Sequence, residues 1–498
     1  VTADIKVYKY NELYIRIDSE RSILYEIQDH FSFLARNYKF MPQYKHGGWD
    51  GKVRLFNVAT RLLPSGLLVD LVKFCEKYNY SIELVDKKKF KPVDFKEDIE
   101  EFLKDLPTIT KMSVEGEYQY QLDAFLKCLK YNKALVLSPT GSGKSHIIYL
   151  ITRFLHRYTD ESILICVPTV SLVEQMVSDF ASYANDGFNA KFECHKIYSG
   201  KARKSDKRIV VTTWQSIYKL PKEWFSNFGS FICDEAHQAD SNSITKIIRN
   251  LPHAPFRFGF TGTLDGSRTH EMCLRGMFGP ILKTTTTKKL MDEGVLAKLR
   301  IDVVVLQYST EERKHVHKNC KTYHDEISWL VDHDKRNKFI VATALSQPKN
   351  TLVLFNFIEG HGEKLYNLAK TYAKELGKEV FFVHGDVKVG EREQIRHLAE
   401  KQDNIIIFAS YGTFSTGINI KNLHTVIFAH PFKARIRNLQ SIGRSLRKSS
   451  GKEEAKLIDI SDNLSYGSKR NVTFEHLLER LKIYAAEQFR YTTRERKL

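Results

Sequence analysis

The chain has 498 residues, about three times the roughly 150 of a typical domain, so one small binding module is excluded and two to four domains are expected. Hydrophobic residues at 42%, with 31 Phe and 24 Tyr, supply apolar surface for several cores and exclude a predominantly disordered chain. The 77 Lys and Arg against 59 Asp and Glu leave +18, which calls for a polyanionic partner, nucleic acid or a membrane surface. Seven scattered cysteines without a CxxC pair fit a reducing compartment. No uncharged run approaches about 18 residues, and the start lacks a signal-peptide apolar stretch, so a soluble intracellular protein is expected.

Residues 1–110 are rich in Tyr and Phe around a turn-prone centre, HGGWDGKVRLFN (46–57). Between Arg36 and Arg61 the bases Arg36, Lys39, Lys45, Lys52, Arg54 and Arg61 face the single acid Asp50, with Tyr38, Phe40, Tyr44, Trp49 and Phe56 interleaved. Basic and aromatic residues around a glycine turn suit a duplex or junction contact, with Trp49, Lys52 and Arg54 as candidates. A small β-rich domain with its own core tryptophan is the competing reading. The charged stretch at 86–107 reads as a solvated helix leading to the next domain.

From about residue 112 to 300, short apolar β-branched runs alternate with helix-like segments: KALVLSPT (133–140), SILICVPT (162–169), RIVVTT (208–213) and SFICDE (230–235). Buried parallel strands give this pattern. A second series at 350–357, 378–385, 404–410 and 424–430 predicts a second α/β domain. The segment TFEHLLERLKIYAAEQF (473–489) carries apolar residues at helical spacing and predicts a helix closing that domain.

SPTGSGKS (138–145) lies between an apolar strand and a helix, the order a phosphate cradle requires. Thr140, Gly141, Ser142 and Gly143 would wrap the phosphates, Lys144 would hold the β/γ-phosphates, and Ser145 would ligate Mg²⁺. Ser138 stands where the phosphate-loop pattern opens with glycine. Downstream, Asp234 and Glu235 end an apolar strand, where one carboxylate can hold Mg²⁺ and the other polarise the attacking water. Taken alone, such a pair is a strand ending in solvated acids. In QSIGRSLR (440–447), Arg444 and Arg447 share a helix face and can reach a γ-phosphate from a second lobe, or simply face solvent or DNA. His315, His317, Cys320 and His324 match no structural-zinc spacing and read as an exposed connector.

In order, Gln121, PTGSGKS (139–145), VPTVSLVEQ (167–175), TTWQSI (212–217), DEAH (234–237), TGT (261–263), STGINIKNL (415–423) and QSIGRSLRK (440–448) resemble the motifs of superfamily 2 helicases. WDGKVRLFN, RLLPSGLL (61–68), PKEWFSNFG (221–229) and SYGTFSTGINIKNLH (410–424) resemble the UvsW-type branched-DNA helicases of bacteriophages over nearly the whole chain. TGT stands where many relatives carry a SAT-like tripeptide.

The resemblance implies two tandem RecA-like parallel-sheet lobes with a small N-terminal α+β accessory domain. The expected divisions are 1–110 accessory and DNA-binding, 111–297 first lobe, 298–465 second lobe and 466–498 C-terminal packing helix. It implies an ATP-dependent DNA helicase using ATP and Mg²⁺, with Lys144, Asp234, Glu235, Gln440, Arg444 and Arg447 catalytic. Gln121 would read adenine and Gly417 would contact nucleotide. Pro168, Thr169, Thr213, Trp214, Gln215 and Thr416 would track a DNA strand, although Trp214 reads equally as a core aromatic. The implied substrates are forks, Holliday junctions, D-loops and R-loops, the last bringing RNA–DNA hybrids. A monomer or weak oligomer in the host cytoplasm is expected, with no membrane partner. An RNA helicase, a restriction-type translocase and a non-enzymatic annealing protein are the competing functions.

Overall fold

The computed structural model describes residues 3–35, 38–110, 118–198, 200, 202–203, 206–238, 242–413, 420–431, 443 and 452–498. The chain divides into two compact units, one of residues 1–138 and 143–284, the other of 285–498 together with loop residues 139–142.

The first unit opens on a four-stranded sheet in the order Leu62–Pro64, Tyr14–Ser19, Ile5–Lys9, Ile82–Leu84. Its central pair is antiparallel, and Ile82–Leu84 joins parallel to Ile5–Lys9. Alternation along these strands sends Ile5, Val7, Ile15 and Ile17 into a core shared with the helices Arg21–His30 and Leu68–Tyr78. Met272, from the helix Arg268–Phe278, completes that core.

The same unit holds a seven-stranded parallel sheet in the order Ile281–Lys283, Lys133–Leu137, Phe256–Thr261, Phe228–Asp234, Ser162–Val167, Ile209–Thr213, Cys194–Ile197. Its central strands are buried along nearly their whole length, which is why they read as continuous apolar runs. The N-terminal sheet is fixed to it by polar contacts as well as by Met272. Lys133 Nζ donates to Glu12 Oε2 at 2.9 Å, Arg257 donates to the Glu12 carbonyl, and Arg275 pairs with Asp70 at 2.7 Å. Burial drives the Lys133 ammonium down to about 8, an effect that Arg257 deepens and Glu12 opposes.

The charged stretch before residue 110 departs from the solvated helix expected. Lys96–Ile109 is amphipathic, and it buries Phe102, Leu106 and Ile109 in the core of the seven-stranded sheet. Phe102 meets Phe125 and Phe154 with ring centroids 5.5 and 5.4 Å apart. Its charges occupy only the outer face, where Arg157 pairs with Asp105 at 2.7 Å.

The second unit is another seven-stranded parallel sheet, ordered Glu379–Val383, Ile405–Ser410, Thr351–Phe355, Thr425–Phe428, Glu454–Asn463, Lys298–Gln307, Tyr491–Lys497. The two sheets bear out the tandem RecA-like reading. The helix Val472–Ala486 packs on the second sheet through a fully buried arginine: Arg480 makes two 2.8 Å bonds to the Asp459 carboxylate and donates to Ser461 Oγ at 2.6 Å. Tyr484 donates to the same carboxylate at 2.8 Å. A second buried pair, Arg336 with Asp462, is bidentate at 2.8 and 3.0 Å and is joined by the Tyr308 hydroxyl at 2.7 Å. After the helix the chain adds the edge strand Tyr491–Lys497, which sequence periodicity did not announce. Among the described residues no helix is long and apolar enough to cross a membrane.

Candidate functional site

Three neighbouring strands of the first sheet carry the nucleotide motifs to one edge. Lys133–Leu137 runs into the phosphate loop, Phe256–Thr261 ends at TGT, and Phe228–Asp234 ends at DEAH, with Leu137 beside Thr261 and Phe260 beside Asp234. The carboxyl edge of a parallel sheet is where such folds bind ligands. Gly141 and Gly143 adopt φ of +86° and +82°, the left-handed region that lets the loop turn its amides toward one point. Ser138, the residue that replaces glycine, is buried and its Oγ accepts from Thr284 Oγ1 at 2.9 Å, so it serves the sheet rather than the cradle. The helix Lys144–Tyr158 begins at Gly143. Lys144 Nζ donates to the Ser138 carbonyl at 3.2 Å, and Ser145 Oγ lies 2.8 Å from the Tyr183 hydroxyl.

Asp234 is half-buried at the end of its strand. Burial, together with the adjacent Glu235 charge, raises its carboxyl to about 6, and Lys144 offsets part of the rise. Glu235 sits at φ +53°, an uncommon conformation for a non-glycine residue and one that concentrates at functional sites. His237 links the two motifs, with Nδ1 3.3 Å from Glu235 Oε2 and 3.0 Å from Thr261 Oγ1. Thr261 Oγ1 in turn donates to the Thr263 carbonyl at 3.0 Å, so DEAH and TGT form one connected network.

Gln121, in the helix Gln119–Tyr131, lies against the phosphate loop: a Cβ on Gly143 would stand 2.3 Å from Gln121 Nε2. Its amide is oriented by a residue that the sequence reading did not single out. His146 Nδ1 is 2.8 Å from Gln121 Oε1, and His146 Nε2 is 3.0 Å from Thr110 Oγ1. An amide oxygen only accepts, so Nδ1 carries the proton and Nε2 accepts from Thr110. Burial pulls the imidazole down to about 4, which keeps it neutral and holds this tautomer at neutral pH. The one visible signal was a polar aromatic opening the apolar helix run HIIYL.

The strand-tracking candidates gather on the other side of the same edge. Pro168 and Thr169 follow the strand Ser162–Val167, and Thr213, Trp214 and Gln215 end or follow its neighbour Ile209–Thr213. Gln215 is exposed and donates to the Pro168 carbonyl at 3.3 Å; Thr169 caps the helix Val170–Tyr183 by accepting from Leu172 N at 3.3 Å. Thr213 is buried, with Oγ1 2.8 Å from Ser216 Oγ. Trp214 is 5% exposed and packs with Phe225, Phe228 and Ile244, so its ring is a core aromatic and not a platform for a base.

In the N-terminal turn, Trp49 is half-buried and its Nε1 donates to the Lys52 carbonyl at 2.9 Å, while Arg54 is held by Asp50. Phe56 is a core residue. Arg36, Thr416, Gly417, Gln440, Arg444 and Arg447 lie outside the described residues. His315 and His317 occupy the helix Thr310–Asn319, and no group of three or more His, Cys, Asp or Glu among the described residues is placed to hold a metal.

Residues 4–86 match the family described as DNA helicase UvsW, N-terminal; 113–266 match the res subunit of type III restriction enzymes; 334–449 match the helicase conserved C-terminal domain. The ATP-dependent DNA helicase uvsW of Enterobacteria phage T4 is 37% identical over 505 aligned residues, 98% of each chain. The DNA 3'-5' translocase XPB2 of Sulfurisphaera tokodaii is 24% identical across 68% of this chain and 80% of its own. The crystal structure of T4 UvsW superposes with a TM-score of 0.52 at 34% identity, covering 99% of both chains.

Proposed function

Because the chain belongs to the UvsW family of DNA helicases, we propose that it is an ATP-dependent helicase that translocates on DNA and remodels forks, four-way junctions, D-loops and R-loops. The observation that carries this reading is the convergence of Lys144, Asp234 and Glu235 on one sheet edge, with the strand-tracking loops on adjacent strands of the same edge. Nucleotide chemistry and grip on a strand then share one rigid sheet.

Lys144, drawn from Ser138 to the nucleotide, holds the β/γ-phosphates as a point charge. Glu235 orients the attacking water and takes its proton, and its strained backbone keeps the carboxylate aimed while His237 holds Oε2. Through Thr261, the same His237 couples a change at Glu235 to the TGT loop. A crowded carboxylate pair and a serine hydroxyl are hard oxygen donors suited to Mg²⁺, which Ser145 and Asp234 would hold and which would offset the phosphate charge. The loop around Trp49, Lys52 and Arg54 is the DNA-facing part of the accessory region, and Arg444 and Arg447 supply the transition-state charge.

Gln121 reads the adenine edge in this scheme, and His146 fixes which way its amide faces. Replacing His146 with Ala is expected to lower the ATP-over-GTP ratio of kcat/KM about tenfold, the worth of one orienting hydrogen bond. Steady-state rates with both nucleotides check it; an unchanged ratio removes His146 from nucleotide selection.

The functional reading is tested by ATPase rates on linear duplex, fork, four-way junction, R-loop and single-stranded RNA of equal length. Branched DNA should stimulate most. Equal stimulation by RNA, or no stimulation at all, would refute it.

A further inference from the structure

We propose that Phe40 is the tip of an apolar wedge that stacks on the terminal base pair at a DNA branch point. The inference rests on the reading of this chain as a branched-DNA helicase, and it assigns the residue that meets the branch.

The five aromatics of the N-terminal turn do different work. Phe56 is fully buried. Trp49 ties the turn through its bond to the Lys52 carbonyl. Tyr38 lies on Gly51, where a Cβ would stand 2.4 Å from Tyr38 Cδ2 and where φ is +79°, so only glycine fits. Tyr44 meets Tyr38 edge to face at 4.8 Å. Phe40 does none of this: it is 75% exposed and makes no ring contact among the described residues, and Met41 beside it is 40% exposed.

The loop beneath them does not depend on Phe40 for its shape. Ala35 N donates to the Gly51 carbonyl at 2.8 Å, Gly48 N donates to the Gln43 carbonyl at 3.0 Å, and the strands Ser32–Leu34 and Lys52–Arg54 pair antiparallel at its base. Thr269 Oγ1, in the same compact unit as the nucleotide loop helix, donates to the Leu34 carbonyl at 3.0 Å and anchors that base. A large apolar ring is thus presented to solvent on a braced support.

Its surroundings select the occupant. Residues 38–54 hold Lys39, Lys45, Lys52 and Arg54 against one acid, Asp50, which Arg54 already engages. Lys39 and Lys45, which flank Phe40 in sequence, are exposed. Lys52 reaches the exposed Asp29 at 3.4 Å, a contact that water screens. Phosphates on two diverging strands satisfy such flanking cations, and the base pair between them offers a flat apolar face. Unstacking costs least where a duplex already ends in a fork.

The test uses the full chain and a fork with 2-aminopurine at the branch. Without ATP, the wild-type protein should raise the 2-aminopurine fluorescence at least twofold, and Phe40→Ala should abolish the rise while Phe40→Trp keeps it. With ATP, the base pairs separated per ATP hydrolysed should fall about tenfold in Phe40→Ala and recover in Phe40→Trp. An unchanged 2-aminopurine signal with wild-type protein bound, or equal signals from wild type and Phe40→Ala, overturns the wedge. So does Phe40-dependent binding to anionic phosphatidylserine vesicles without a fork signal. The fluorescence arm needs no hydrolysis, so its failure is distinct from failure of the motor reading, which the ATPase panel reports. Because Phe40 is solvent-facing, an unchanged melting temperature verifies that each variant is folded.

Discussion

A chain carrying Lys144→Ala hydrolyses ATP on the order of 10³-fold more slowly than wild type, whether or not DNA is present. Lys144, at the start of the helix Lys144–Tyr158, faces both the phosphate loop and the carboxylate pair: it bonds the Ser138 carbonyl, and it lowers the Asp234 carboxyl that burial raises. Its loss removes charge from the γ-phosphate and leaves Asp234 and Glu235 with less compensation. Glu235→Gln should separate the two effects. The amide keeps the size and the 3.3 Å approach to His237 but cannot take a proton, so nucleotide binding survives while turnover falls by about 10²-fold or more. Steady-state ATPase and equilibrium binding of a fluorescent ATP analogue measure both. A Lys144→Ala protein with full turnover would refute the assignment of this loop.

The second large effect is on stability. Arg480→Met should lower the opening free energy of the second unit by about 3–5 kcal/mol, because it leaves the Asp459 carboxylate buried without its partner. Arg480 is fully enclosed, satisfied by Asp459 and Ser461, and its guanidinium is held charged by that neighbouring carboxylate. Hydrogen exchange in the strand Glu454–Asn463 should accelerate by on the order of 10²-fold or more at neutral pH. The double change Arg480→Met with Asp459→Leu should recover part of the loss, since an apolar pair needs no desolvation while the buried Tyr484 hydroxyl loses its acceptor. Exchange in this strand that is unaltered by Arg480→Met would show that the pair does not hold the helix to the sheet.

Why the sequence disclosed the lobes but not these details is a matter of range. The runs around residues 133–137, 162–167, 209–213 and 228–234 are apolar because each strand is covered on both faces, a property written in consecutive residues. Lys144, Asp234 and Glu235 were legible because a phosphate cradle and a strand-end carboxylate pair have fixed local spacing. Contacts between distant segments leave no such trace. Glu12 meets Lys133 and Arg257, 121 and 245 positions away, and only the folded chain shows the N-terminal sheet fastened there. The helix Lys96–Ile109 looked solvated because eight of the residues at 96–109 are charged or polar, yet Phe102, Leu106 and Ile109 share one face. The strand Tyr491–Lys497 is an exposed edge of the sheet, so YTTRERK needs no apolar run. Trp214 shows the limit of motif reading: TTWQSI left strand tracking and a core aromatic equally open, and only the folded surroundings place the ring in the core.

In the proposed scheme, ATP hydrolysis at Lys144, Asp234 and Glu235 moves DNA past this chain. This coupling is tested most directly by following a synthetic four-way junction with mobile arms as it converts to two duplexes. Wild-type protein with ATP should complete the conversion, and the same protein with a non-hydrolysable ATP analogue, or the Glu235→Gln variant with ATP, should bind the junction and leave it intact. Conversion at the same rate without hydrolysis, or rapid hydrolysis with the junction unmoved, would contradict it.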